Sequence, residues 1–335
     1  MILSFGEILL RMSPDENGEW INKNTLPVYA GGSELNVAMA LAKWKIPVSY
    51  CTALPGDFLS KQLIHYIASQ KIDVSTIIQN AGKPAFYYLK EGKDKYNEDV
   101  VYDRLHSSFY NMQPGMIDWD KTLQGVRWFH FSAVLSLLNK QVATVCEEAL
   151  KACEKKSITV SIDLNGNAEA WQHDKNAGGI IQPLLKYCDI VAGNIHNVEA
   201  MLHIPVAANV HSISTKDNYL LQAKNASEKI MQNFPRCKVV AHPFMLKKDK
   251  LEYFATIFGN NNFYNSATYS TDNIIDKSGT GDSFMAGIIY GVYNHLPLQQ
   301  LINFAAGAAF QKLFIKGEAM NKTVDEIKNF IRDYH

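Results

Sequence analysis

Asp276-Lys277-Ser278-Gly279-Thr280-Gly281-Asp282, running straight into Ser283-Phe284-Met285-Ala286-Gly287-Ile288-Ile289-Tyr290-Gly291-Val292, is the stretch on which the reading of this chain turns. Apolar side chains at 284, 285, 288, 289 and 292 recur at helical spacing, which predicts a helix over 282–294 with the glycines where the chain turns into it. The first turn of a helix leaves backbone N–H groups unpaired and carries the positive end of the macrodipole, so an anion is favoured there. Gly279 and Gly281 lack a Cβ, which lets the backbone take positive φ and come within hydrogen-bonding distance of phosphate oxygens. Together with Thr280 they form a candidate anion hole. Asp282 is the candidate catalytic base, because a carboxylate beside a transferred phosphoryl group can accept the proton of the attacking hydroxyl, worth ~10²–10⁴ in rate. A lone G-x-G would mean only a turn, with Asp282 as a helix cap. The full D-x-x-G-x-G-D pattern arises by chance in about 0.4% of chains of this length, taking Gly at ~7% and Asp at roughly 5%, which favours the functional reading.

Outward from this motif, short apolar runs alternate with longer helix-like segments, the pattern of a parallel sheet covered by helices. Strands are expected at 1–6, 47–53, 127–132, 158–163, 188–192 and 237–242. Helices are expected at 33–44, 58–69, 141–155, 197–203, 217–233, 282–294, 298–313 and 323–332, the last supported by a capping-box pattern at Thr323–Glu326. Residues 8–30 and 84–110 break the rhythm, being rich in β-branched, aromatic and charged residues without a helical period. They are either surface excursions or a small separate sheet that acts as a lid. The pattern places the chain in the α/β class, with a mainly parallel sheet covered by helices.

Composition narrows the partners. The 335 residues carry 33 basic and 33 acidic side chains, so no overall field favours nucleic acid or an anionic membrane, and small molecules are expected. No apolar run approaches the roughly 20 residues needed to span a bilayer, and Met1–Glu7 reads as a strand, not a leader. Five scattered cysteines without a C-x-x-C pair read as core thiols in a reducing cytoplasm. The G-x-x-x-x-G-K-S/T phosphate loop is absent, as is any H-x-x-x-H or Cys/His cluster that would hold catalytic zinc.

The 276–282 motif resembles the C-terminal signature of the ribokinase/PfkB family of carbohydrate kinases. Ala30-Gly31-Gly32-Ser33-Glu34-Leu35-Asn36-Val37-Ala38 resembles its N-terminal signature, in which a Gly-Gly pair and a following Asn contact the sugar. The resemblance implies a ribokinase-like fold, a three-layer αβα body with a mainly parallel sheet and a small β-sheet lid from about 8–30 and 84–110, in a single domain spanning 1–335, with ATP and Mg²⁺ as cofactors and Gly32 and Asn36 as substrate-binding residues. Within the family, Phe86-Tyr87-Tyr88-Leu89-Lys90-Glu91-Gly92 and Val101-Tyr102-Asp103-Arg104 look like the lid segments with which 2-keto-3-deoxygluconate kinases hold an open-chain keto acid. That likeness assigns Tyr88, Tyr102 and Arg104 to the substrate, the tyrosines through ring and hydroxyl and the arginine through a fork suited to carboxylates. Relatives acting on cyclic sugars often carry an Asp about five residues after the first Gly; here Arg11 follows Gly6. Relatives also often pair through the lid, which implies a homodimer.

Several positions depart from the family. Ser161–Trp171 resembles a segment reading D-x-N-x-R-x-x-x-W, with Asn167 where the Arg stands, so Asn167 can offer the substrate carboxylate only neutral hydrogen bonds and the task passes to Arg104 or Arg11. The family's N-x-x-E, which organises Mg²⁺ and phosphate through water, is matched loosely by Asn194, Asn197 and Glu199, and no direct protein ligand to the metal is assigned. Asp276 is grouped with this nucleotide and Mg²⁺ region. Met245 stands where a basic residue near the phosphates is usual, with Lys247 and Lys248 close by. Ala306 lies in a small-residue run that in the family rests against adenine, although small residues equally permit close helix packing. The expected reaction is phosphorylation of a sugar primary hydroxyl, first of all that of 2-keto-3-deoxygluconate. The alternatives are fructose, ribose or a nucleoside as acceptor, or a sugar-binding regulator without catalysis.

Overall fold

The computed structural model describes residues 1–14, 18–21, 25–90, 100–165, 177–206, 215–247 and 249–334. Among them a nine-stranded sheet runs in the order Asn262–Asn265, Leu251–Gly259, Val239–Lys247, Ile190–Ala192, Thr159–Asp163, Trp128–Ser132, Ile2–Phe5 and Val48–Cys51, with Tyr269–Thr271 also paired to Leu251–Gly259. All pairings from Val239–Lys247 across to Val48–Cys51 are parallel. The six expected strands make up this parallel part. Both faces are covered, so the central strands are almost wholly buried and their residues alternate between two cores: Ile2, Ile190 and Ala192 pack on one side, Leu3, Phe5 and Val191 on the other.

The edge hairpins beyond residue 242 were not expected from the pattern. Val239–Lys247 continues through Pro243, which pairs antiparallel with Ala255. On this strand Ile190–Ala192 reaches only Val239–Ala241, so past that point the strand has a neighbour on one side and the missing proline N–H costs no ladder bond. The Ala177–Leu185 helix was also unexpected. All eight expected helices are present, and the capping box forms, Glu326 N donating to Thr323 Oγ1 at 3.3 Å and Thr323 N donating to Glu326 Oε2 at 2.8 Å.

Residues 8–30 and 84–110 contribute the separate sheet, ordered Val28–Gly31, Leu9–Met12, Ala85–Leu89 and Val100–Asp103. Its register pairs Arg11 with Tyr29 and Tyr87, and Tyr87 with Tyr102. Those four side chains therefore share one face. No helix among the described residues is long and apolar enough to cross a membrane.

Candidate active site

The motif enters the Thr280–Tyr293 helix close to the carboxyl ends of parallel strands, where α/β sheets open a crevice: Asp163, which ends one strand, feels the Asp282 charge, and Ser132, which ends the next, bonds Glu34. Gly279 takes φ 75°, and a Cβ there would overlap the Glu318 carbonyl oxygen, so glycine is required for both conformation and space. Gly281 differs from expectation. It lies inside the first helical turn without positive φ, and a Cβ on it would meet nothing within 4 Å. Space is thus open in front of the helix N-terminus, where an anion would approach; Thr280 departs from expectation, because its N–H already donates to Lys277 O at 3.1 Å, which leaves the glycine amides for the anion. Gly32, with φ 117°, occupies the N-cap of the Ser33–Lys43 helix, and a side chain there would overlap the Glu7 carbonyl oxygen.

Asp282 is the third residue of its helix and is buried. Asn36 Nδ2 donates to its Oδ2 at 2.7 Å, and Ser33, itself receiving a bond from Asn165 Nδ2 at 3.1 Å, is a second side-chain partner. Burial pushes the Asp282 carboxyl up to about 7; Glu318 adds to the rise, while Asn36, Ser33 and Lys312 oppose it. Two more buried carboxyls share this region. Glu34 accepts from Ser132 N at 3.0 Å and is raised to about 7 by burial, and Asp163 is raised well above the carboxylate range by burial together with Asp282 and Glu34. A base poised near neutrality beside an open helix N-terminus can take a hydroxyl proton while the amides receive an anion.

Asp276 anchors the loop instead of reaching the cleft. It accepts from Arg11 Nη1 at 3.1 Å and Nη2 at 2.7 Å, from Ser278 N at 3.0 Å and from Gly317 N at 2.9 Å. Burial alone would raise its carboxyl, but the Arg11 guanidinium holds it below its ordinary value. Arg11 also pairs with Glu318 at 3.0 Å, donates to Ser278 Oγ at 2.6 Å and lies over the Tyr29 ring. Closed in on all sides, Arg11 is a structural cation and not the carboxylate receptor the sequence allowed.

The small sheet corrects one tyrosine. Tyr87, not Tyr88, faces the cluster: its hydroxyl donates to Glu318 Oε1 at 2.6 Å and its ring stacks on Tyr102 at 5.7 Å. Strand alternation sends the neighbouring Tyr88 to the other face, against Trp20. Tyr102 is half-exposed. Arg104 Nε donates to Glu7 Oε2 at 2.6 Å, and Glu7 also accepts from Ser107. Asn167 and Lys248 lie outside the described residues.

The nucleotide-side assignments change most. Asn194 caps the Ile195–Leu202 helix by accepting from Asn197 N at 2.9 Å, Asn197 Nδ2 donates to Leu164 O at 2.7 Å, and Glu199 Oε1 accepts from Val206 N at 3.1 Å. All three are engaged with backbone. Ala306 is fully buried and offers no surface to a base; the small residues beside it serve helix packing, since a Cβ on Gly287 would come 2.5 Å from Ala305 Cα. Among the described residues no group of three or more His, Cys, Asp or Glu is arranged to hold a metal ion. His130 and His242 are buried and pushed down to about 3 and about 4 by that burial, which keeps them neutral inside the core. A cavity of about 1170 Å³ between the Ser33–Lys43 and Phe58–Ser69 helices includes Glu318 in its wall but not Asp282.

Sequence reasoning missed Glu318, Arg11's structural role, Tyr87, Glu34 and Lys312. Glu34 lay within the quoted N-terminal signature, whereas nothing in the spacing around Glu318 marks it.

The sequence pattern of the family described as pfkB family carbohydrate kinase matches residues 1–234. The chain belongs to that family. The kinase is similar over its whole length to the crystal structure of 2-dehydro-3-deoxygluconokinase from Thermotoga maritima, with 29% identity, a TM-score of 0.89 and coverage of 99% of each chain. It is 20% identical over 331 residues to the 2-dehydro-3-deoxygalactonokinase of Haloferax volcanii, covering 99% of this chain and 96% of the relative. It is 23% identical over 309 residues to the 2-dehydro-3-deoxygluconokinase of Haemophilus influenzae, covering 87% and 88%. The fold is ribokinase-like and the protein is a sugar kinase. The family match ends before residue 276, so the kinase's phosphate motif rests on the geometry above and on the full-length structural similarity.

Proposed function

We propose that the kinase transfers the γ-phosphoryl group of ATP to the primary C6 hydroxyl of 2-keto-3-deoxygluconate, with Asp282 as general base. The observation that carries this reading is Asp282 itself, buried, poised near neutrality and fastened by Asn36 beside an open helix N-terminus. Asp282 takes the hydroxyl proton as the oxygen attacks the γ-phosphorus. The bond from phosphorus to the bridging oxygen of ADP breaks, and Asp282 then returns the proton to solvent. The backbone N–H groups of Gly279 and Gly281 receive the growing negative charge. Mg²⁺ typically keeps several waters and takes few protein ligands, so it would be carried on the ATP phosphates, where it would neutralise charge.

The relatives' named substrates support a 2-keto-3-deoxy sugar acid. Arg104, held through its Nε by Glu7, is the described residue best suited to its carboxylate, with Tyr102 two residues before it on the edge strand. One observation favours a neutral acceptor such as fructose or ribose: both Arg11 and Arg104 are already paired with carboxylates. An ADP-release assay over 2-keto-3-deoxygluconate, its galactonate epimer, fructose, ribose and nucleosides decides, and preference for an uncharged acceptor overturns the sugar-acid assignment. Sugar binding with no ADP formed from any acceptor would instead support a non-catalytic regulator.

A cytoplasmic homodimer completes the proposal. The five cysteines are free and buried, which suits a reducing compartment. The edge strand Val100–Asp103 exposes Val101 and Tyr102, an edge that invites pairing with a second small sheet. Sedimentation as a monomer at micromolar concentration would refute the pairing.

A further inference from the structure

Lys312 closes the Leu298–Lys312 helix, a position from which a lysine ordinarily reaches solvent. Here it is 0% exposed. Its Nζ donates to Ile315 O at 2.8 Å, so the side chain folds back under the turn that follows its own helix. A Cβ added to Gly279 would lie 3.4 Å from Lys312 Cε, which puts the aliphatic stem directly behind the loop of the anion hole. The next residue, Leu313, accepts from Ile275 N at 2.8 Å and Asp276 N at 3.1 Å, fastening the head of the motif to the same turn.

The charges around it form a closed set. Lys312 feels Asp276, Glu318, Arg11 and Asp282, and Arg11 is paired with both Asp276 and Glu318. Arg11 and Lys312 together balance Asp276 and Glu318, so behind the open amides the buried charge sums to zero before Asp282 is counted. Without Lys312 the set would carry one net negative charge, and with ionised Asp282 two, at the place where an anionic phosphate must arrive. Burying a lone ammonium is costly and needs a compensating reason. Burial does pull Lys312 down to about 8, yet the two carboxylates keep it from falling further, so it is mainly charged at neutral pH.

We propose that Lys312 is an internal cation seated behind the anion hole, cancelling the charge of Asp276 and Glu318 so that the glycine amides at 279 and 281 can accept the phosphates of a nucleotide. It acts as a positioning residue and touches neither sugar nor nucleotide. The proposal rests on the reading of 279–281 as the phosphate site.

The test is calorimetric titration with ADP of the wild type, Lys312→Met, and Lys312→Met combined with Glu318→Gln, which removes one cation and one anion while keeping the shape of each side chain. One uncompensated charge at ~8 Å and an effective dielectric of about 20 weakens binding by roughly tenfold or more, so the single variant is expected to bind at least tenfold more weakly than the wild type. The double variant is expected to return to within about threefold of the wild type. Equal affinity of the single variant and wild type overturns the proposal while leaving the phosphate site intact. A double variant as weak as the single one also overturns it, because shape and not charge would then be responsible. If the wild type binds no ADP, the site reading falls and this inference with it. Should Lys312→Met fail to fold, Lys312→Gln, whose amide can still donate to Ile315, is expected to show the same loss, and unimpaired ADP binding by it counts against the proposal.

Discussion

Replacing Asn36 by leucine, which has nearly the same shape but no donor, tests how the base is tuned. Asn36 Nδ2 donates to Asp282 Oδ2 at 2.7 Å and more weakly to Glu318 Oε2 at 3.3 Å, and its bond is the largest influence holding the Asp282 carboxyl down against burial. A hydrogen bond to a charged group is worth ~1.5–3 kcal/mol, and 1.36 kcal/mol corresponds to one pKa unit. Loss of the bond is therefore expected to move Asp282 from about 7 to roughly 8–9. The sign follows from the role: the base works only when deprotonated, so raising its pKa removes activity at neutral pH and returns it in alkali. At pH 7 the ionised fraction falls from about half to roughly 1–10%. We expect kcat/KM at pH 7 to drop roughly 5–50-fold and to recover most of the difference near pH 9.5, with the acid limb of the profile displaced upward. Glu34, Asp163, Glu318 and Lys312 also act on or near Asp282, so the limb reports the cluster, and the comparison with wild type isolates Asn36. An unmoved acid limb, or a loss equal at pH 7 and pH 9.5, would refute the argument.

Asp282→Asn keeps the shape but cannot take a proton, and is expected to lower kcat at least 10²-fold with the circular dichroism spectrum unchanged; near-wild-type turnover would remove Asp282 from the chemistry. Gly279→Ala places a Cβ against the Glu318 carbonyl at φ 75°, and should lower stability by about 1–3 kcal/mol, read as a fall in Tm. Gly281→Ala meets open space inside a helix, so Tm should hold or rise slightly while ADP binding weakens, because the methyl group fills the approach to the amides. Tyr87→Phe strips a buried hydrogen bond from Glu318 and is expected to cost about 1–2 kcal/mol, whereas Tyr88→Phe should be close to neutral; the reverse order in thermal melts would contradict the face assignment.

Much of the fold could be read in advance because it depends on local signals. A parallel strand covered on both faces reads as a mostly apolar run, and a helix packed on such a sheet shows a 3.6-residue period, so Ile2–Phe5, Val48–Cys51 and the Thr280–Tyr293 helix announce themselves. The edge hairpin did not, since Pro243 is tolerated only because Val239–Lys247 lacks a second neighbour beyond Ala241, a fact of sheet order. Tyr87 and Tyr88 are indistinguishable by composition; the choice between them is one of register, and a one-residue shift would exchange their faces.

The site divides along the same line. The chain alone determined that residues 276–282 stand at a helix start with a carboxylate and two glycines, because turn, helix onset and anion affinity are written within seven consecutive positions. It did not reveal that Arg11 locks Asp276 across 265 positions, that Asn36 holds Asp282 across 246, or that Glu318 and Lys312 complete the charge balance. Those pairings form only when distant segments fold together, and a buried charge acquires its partner and its proton affinity from that assembled surrounding.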